Sequence, residues 1–233
     1  MNKNYFLFGA GGLVIGLIIG FIAANTINRN AFTQPTTAAQ NVPISNAPFL
    51  NSQPNSAVQT TQSGMLAQVN ETLEKAKNEP DNFDAQVKAG DMYAQIQKFD
   101  KAAEFYEKAH KIKPDDYQTI VNIGNTFFDS KQFESAEKWY SEALAKNPDD
   151  VNVRTDLGVT FVERANPDFD RAAREFETSL QKNPRHEPTL YNLGIAYFKK
   201  GNSEEAQKTL QQLETINPQS QLATRLRQII SQN

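Results

Sequence analysis

Apolar and small residues recur in this chain in a four-fold pattern. A first unit reads Ala89, Gly90, Tyr93, then Phe99, Ala102, Tyr106 and Ala109; a second reads Ile120, Ile123, Gly124, Phe127, then Phe133, Ala136, Tyr140 and Ala143. A third gives Leu157, Gly158, Phe161, then Phe169, Ala172, Phe176 and Ser179, and a fourth Leu190, Leu193, Gly194, Tyr197, then Ala206, Leu210 and Leu213. Spacings of three and four put each half-unit on one face of a helix, so each unit predicts two helices joined by a short turn. Gly and Ala at matching places let the two helices approach closely, and the aromatic side chains fill the space around the contact. Prolines punctuate the pattern: Pro80, Pro114 and Pro148 are 34 residues apart, as are Pro184 and Pro218, and only the step from Pro148 to Pro184 is two residues longer. Each proline closes a second helix. The acids and amides that follow (Asp81-Asn82, Asp115-Asp116, Asp149-Asp150) are N-caps for the next one. A period of this length marks a stacked array whose units bury their apolar faces against each other.

These residues resemble the tetratricopeptide repeat family, whose unit is a 34-residue helix-turn-helix. The resemblance covers residues 83 to about 220 and is closest over 117–150, notably Val121-Asn122-Ile123-Gly124-Asn125 and Tyr140-Ser141-Glu142-Ala143-Leu144. It implies an all-α, right-handed solenoid with units at 83–116, 117–150, 151–186 and 187–220. Two positions depart from the pattern: Asn166-Pro167 lengthen the third turn, and Ser203 stands where the other units have Phe. Turns tolerate insertion better than packed helix interiors, so the fold should survive both.

Solenoid ends need covers. Met65, Leu66, Val69 and Leu73 predict a leading helix over 65–79. Leu222, Leu226, Ile229 and Ile230 predict a capping helix over 221–233, with Thr224, Arg225, Arg227 and Gln228 facing away.

The N-terminus has another character. After a short flank, 1–4, residues 5–24 carry no charge and are dominated by Phe, Leu, Ile, Val, Gly and Ala. As a helix rising about 1.5 Å per residue the stretch reaches about 30 Å, enough to cross a hydrocarbon core. Its length favours a retained signal-anchor, although Ala23-Ala24 also suits a cleavage site. Lys3 before it, with only Arg29 after it, orients the N-terminus towards the cytoplasm and the repeats outwards, on the periplasmic side of a bacterial inner membrane. Gly12, Gly16, Gly20 and Ala24 form a small-residue face along which two such helices could pack as a homodimer. Residues 25–64 contain no Asp, Glu or Lys and are rich in Asn, Gln, Thr, Ser, Pro and Ala. They read as a disordered tether spanning roughly 35 Å root-mean-square.

Charge narrows the choice of partner. Of 24 basic residues only Lys3 and Arg29 precede residue 65, leaving 22 against all 27 acids in the repeat region, a formal net charge of −5. An acidic region without basic clusters argues against nucleic acid. Catalysis has little to draw on: there is no cysteine, and His110 and His186 lie in different units near helix ends. No phosphate loop appears, since the repeated glycines are packing residues. The expectation is a non-enzyme without cofactor or metal.

In the resembled family the first helix of each unit lines a concave surface that holds a peptide or a helix. By register the inward candidates are Val87, Lys88 and Asp91 in the first unit, and Val121, Asn122, Asn125 and Phe128 in the second. Thr155, Asp156, Val159 and Val162 follow in the third, and Tyr191, Asn192, Ile195 and Phe198 in the fourth. Asn suits a bound backbone because its amide both donates and accepts. Phe128, Tyr191 and Phe198 suit apolar anchors. A basic clamp for a carboxylate is missing, with Val87 and Val121 at the lysine places and Asp156 opposing an anion. The expected function is a membrane-tethered scaffold that binds a peptide segment or helix of a partner, an architecture that resembles envelope assembly and chaperone-like factors. Two alternatives are a structural homo-oligomer built by anchor and solenoid contacts, and a docking protein facing the cytoplasm.

Overall fold

The computed structural model describes residues 56–231, with side chains from residue 67. The predicted span over 5–24, its Gly12, Gly16, Gly20 and Ala24 face and the tether up to residue 55 lie outside the described residues. No helix among the described residues is long and apolar enough to cross a membrane.

Ten helices follow one another without a strand among the described residues: α1 (Ser56–Asn78), α2 (Phe83–Gln95), α3 (Phe99–Ile112), α4 (Tyr117–Asp129), α5 (Phe133–Lys146), α6 (Val151–Glu163), α7 (Phe169–Lys182), α8 (Glu187–Lys199), α9 (Ser203–Ile216) and α10 (Gln221–Ile230). Helices α2 to α9 form the four predicted pairs. The leading helix is longer than expected, since α1 begins at Ser56, inside the stretch read as tether. No proline interrupts the chain between Pro54 and Pro80, and a helix of this length absorbs the one glycine there, Gly64, at about 1 kcal/mol. Within α1, Val69 and Ala76 are buried and Leu73 packs on the Ala76, Ala85 and Ala89 cluster; the side chains of Met65 and Leu66 lie outside the described set.

Each pair packs as an antiparallel hairpin, and the second helix of one pair packs on the first helix of the next. The proline register works as the sequence implies. Asn82, Asp116 and Asp150 cap α2, α4 and α6, each accepting a backbone N–H of the first turn on its side chain. The repeated glycines are sites of close approach: a Cβ on Gly90 would lie 2.6 Å from the Tyr106 ring, and one on Gly124 would lie 2.8 Å from the Tyr140 ring. Gly194 instead faces Leu226 of α10, so the capping helix occupies the place that an aromatic ring takes in the earlier pairs. Leu226 is fully buried, with Leu222 and Ile230 packed on the same cluster.

Both departures from the repeat pattern are absorbed at turns. Lys98, Gln132 and Asn202 donate their backbone N–H to Tyr93, Phe127 and Tyr197 carbonyls at 2.8–2.9 Å, and in the third turn Asp168 donates to Phe161 in the same way across the two extra residues. Arg164 and Arg171 sit over the Phe161 ring, at 4.8 and 4.1 Å from its centroid, and both reach Glu137 of the preceding pair. The longer turn is thereby tied to α5. Ser203 is exposed at the start of α9, where Asn202 supplies the cap.

Candidate functional site

The residues that register places at positions 5, 6, 9 and 12 of the units lie on the first helices of the pairs, α2, α4, α6 and α8. The structure divides the predicted residues on this face into three groups.

Val121, Thr155 and Val162 are buried, at 9%, 4% and 6% exposure, and belong to the packing between helices. Thr155 in particular is drawn inside. Its hydroxyl meets Thr189 at 2.6 Å and Ser179 at 3.2 Å, and it donates to the Val151 carbonyl at 2.7 Å. His186, at the N-cap of α8, closes this set through Nδ1 to Thr189 at 2.6 Å, and burial lowers its pKa. The candidate groove therefore loses Thr155, and the third and fourth pairs gain a buried hydroxyl network in exchange.

A second group is engaged with neighbours. Asp91 accepts from the Tyr106 hydroxyl at 2.6 Å and Asn125 from the Tyr140 hydroxyl at 2.8 Å. Burial pushes the Tyr140 phenol up, with Asp156 and Asp129 adding to the shift. Asn122 accepts from Gln118 at 2.9 Å, and Asn192 donates to the Pro188 carbonyl at 2.9 Å. Each of these asparagines uses one half of its amide locally, so Asn122 keeps N–H donors and Asn192 keeps its carbonyl for another partner.

The third group is half-buried and apolar. Phe128 lies edge-on to Phe133 with centroids 5.5 Å apart, Val159 packs on the same core, and Tyr191 and Ile195 pack against the cluster built with α10. Val87 packs against the Ala102, Tyr106 and Ile123 cluster, Phe198 is half-buried, and Lys88 is exposed. Asp156 is half-buried, and burial pushes its carboxyl up, with Asp150 and Asp129 adding to the shift.

Family models of the tetratricopeptide repeat match residues 66–117, 97–158 and 163–229, and one model alone spans more than half of the chain. The chain belongs to the tetratricopeptide repeat family. Solved structures share the fold at low identity. YrrB, described as a tetratricopeptide repeat protein with an unusual peptide-binding site, is 22% identical with a TM-score of 0.60, covering 72% of this chain and 89% of YrrB. MamA from Desulfovibrio magneticus RS-1 is 14% identical with a TM-score of 0.61, covering 71% of this chain and 93% of its own. A tetratricopeptide repeat protein from Parabacteroides merdae ATCC 43184 is 18% identical with a TM-score of 0.58, covering 64% and 59%. No curated protein matches the chain significantly.

Two features of this repeat array escape a reading by pattern. Gln86 is fully buried in the first repeat and donates to the Ala76 and Glu79 carbonyls at 2.7 and 3.4 Å, stitching the end of α1 to the array. A polar residue where the second and fourth repeats have Ile120 and Leu190 was the available signal. Ser179 likewise stands where the first two repeats have Ala109 and Ala143, and that substitution marks the hydroxyl network.

Proposed function

We propose that this protein is a scaffold whose inner helical face holds a segment of a partner polypeptide. The observation that carries the reading is the apolar set of Phe128, Val159, Ile195 and Phe198, which register assigns to the inner side of the first helices and which stays half-buried. Beside it lie amide groups with unused hydrogen-bonding capacity, the pairing of chemistries that an extended or helical segment requires. Family membership supports the reading, and so does the peptide-binding site of YrrB, a protein of the same fold. A photo-crosslinking residue placed at Phe198 should capture a partner, while one at Gln207 on the outer helix α9 should not. Capture at Gln207 alone would move the binding surface to the other side of the array.

The scaffold is tethered to a membrane in this reading, with the repeats outside the cytoplasm. The uncharged stretch 5–24 and the position of Lys3 support that placement. In intact spheroplasts protease should digest the repeats while a cytoplasmic control survives; protection until lysis would assign the repeats to the cytoplasm.

A further inference from the structure

The four repeats share one aromatic place and differ in what covers it. Tyr93, Phe127, Phe161 and Tyr197 correspond in register, as do Phe105, Trp139, Glu175 and Thr209 in the second helices. In the first repeat Phe105 stacks on Tyr93, with centroids 5.5 Å apart and planes 9° from parallel. In the second, Trp139 packs with Phe127 on the Ala102, Tyr106 and Ile123 cluster and meets His110 of the preceding repeat edge-on at 5.0 Å. In the third, the guanidinium groups of Arg164 and Arg171 cover Phe161, and Glu175 is held by Arg154 at 2.8 Å. The fourth breaks the series. Thr209 is small, and its hydroxyl is spent on the Glu205 carbonyl at 2.8 Å. Among the described residues no ring stacks on Tyr197 and no cation sits over it; its hydroxyl alone is engaged, donating to Glu177 at 2.5 Å.

At this place α7, α8 and α9 line a cleft of about 920 Å³. Leu180, Leu190, Leu193, Tyr197 and Ile216 give it apolar walls, and Thr209 lies among them. It shares no residue with the candidate groove on the first helices. Leu180 packs both on the large central core and on the terminal cluster of Leu190, Leu210 and Leu213, so the cleft marks the seam between the two. Its rim selects against acid. Lys208 is taken by Glu204 and Glu205 at 2.9 and 2.8 Å, whereas no cation pairs with Glu177 among the described residues. Gln211 and Gln212 add amides suited to a polypeptide backbone.

We infer that this cleft is a second binding site, which takes a phenylalanine or tryptophan side chain from a partner segment that carries no acid beside it. The first two repeats show the chemistry of the occupant, because there the chain's own ring fills the corresponding place. In the fourth repeat the ring comes from outside. An aromatic side chain is the anchor that such a cleft rewards most, since it buries a large, rigid surface.

The test is selection of a phage-displayed random dodecapeptide library on the full chain, followed by binding of the selected peptides to Thr209→Trp and Gln212→Trp. Thr209→Trp supplies the absent ring from within. Gln212 is exposed on the rim, so Gln212→Trp obstructs the cleft without touching the core and carries the comparison alone should Thr209→Trp fail to fold. A class of peptides should emerge with Trp or Phe at a fixed place and no Asp or Glu next to it. These should bind the two variants roughly tenfold more weakly than the wild type, in line with loss of one aromatic anchor. They should bind Phe198→Ala, altered in the candidate groove, as well as the wild type. No selected peptides, or only peptides that bind the blocked variants and the wild type equally, would overturn the second site. Weakened binding confined to peptides without an aromatic residue would overturn the aromatic assignment. Self-association of the chain that the blocking variants abolish would give the cleft to a second copy and overturn it too.

Discussion

Gln97, Lys131 and Gly201 occupy the same place in the turns of the first, second and fourth repeats, all with positive φ (58°, 60° and 87°). Only one is glycine, so the other two carry the strain of a left-handed backbone with a side chain attached. The third turn has no such residue because its two extra positions let the chain reverse by another route. Lys131→Gly should therefore stabilise the protein by about 1 kcal/mol, seen as a higher urea midpoint at unchanged slope. An unchanged or lower midpoint would mean that the lysine makes up for its backbone elsewhere. Of these three turns the sequence announces only the one with glycine. Gln97 and Lys131 look like ordinary polar loop residues, because strain of this kind leaves no mark in hydropathy.

The N-caps set the register of the inner helices, and they are unequal. Asp116 accepts the Thr119 N–H and hydroxyl, whereas Asp150 accepts two backbone N–H groups and also the Tyr117 hydroxyl of the previous repeat. Removing Asp150 frees two backbone N–H groups and breaks a bond between repeats, whereas the bonds of Asp116 stay within its own helix. Asp150→Ala should cost about 2 kcal/mol and Asp116→Ala about 1, compared by chemical denaturation of the two variants; equal losses would show that the link between repeats is inert. Helix existence, pairing and capping were legible because proline, small residues and aromatics repeat in phase. The early start of α1 was not, since its first turns lack the apolar stripe that marks the rest. The withdrawal of Thr155 was also hidden, because register gives the face of a helix but not how deeply a neighbour covers it.

Across the whole array, stability is a chain of neighbour contacts, and its far end depends on α10. Leu226 covers Gly194, while Ser220 and Asn217 donate to Glu187 at 2.6 and 2.9 Å and hold its carboxyl below the usual range. Deleting residues 220–233 should expose Leu190, Leu210 and Leu213 together, so amide protection should fall in α8 and α9 while α4 to α7 keep theirs. Uniform loss through all repeats would show instead that the array melts as one unit. The four helix pairs were legible in the sequence alone; which predicted groove residues are buried or engaged with neighbours needed the positions of those neighbours.

The pairing of Asp91 with Tyr106 and of Asn125 with Tyr140 has no counterpart further along, where Val159 and Phe176, then Ile195 and Leu210, hold the same places. The inner face thus changes chemistry from its first half to its second, and so it has a sense of direction. In the proposed role, a partner segment with one hydrogen-bonding end and one greasy end would lie along it one way round and not the other. A scaffold of that kind would govern the bearing of what it holds: it would decide on which side the rest of the partner emerges, and so what that partner is presented to.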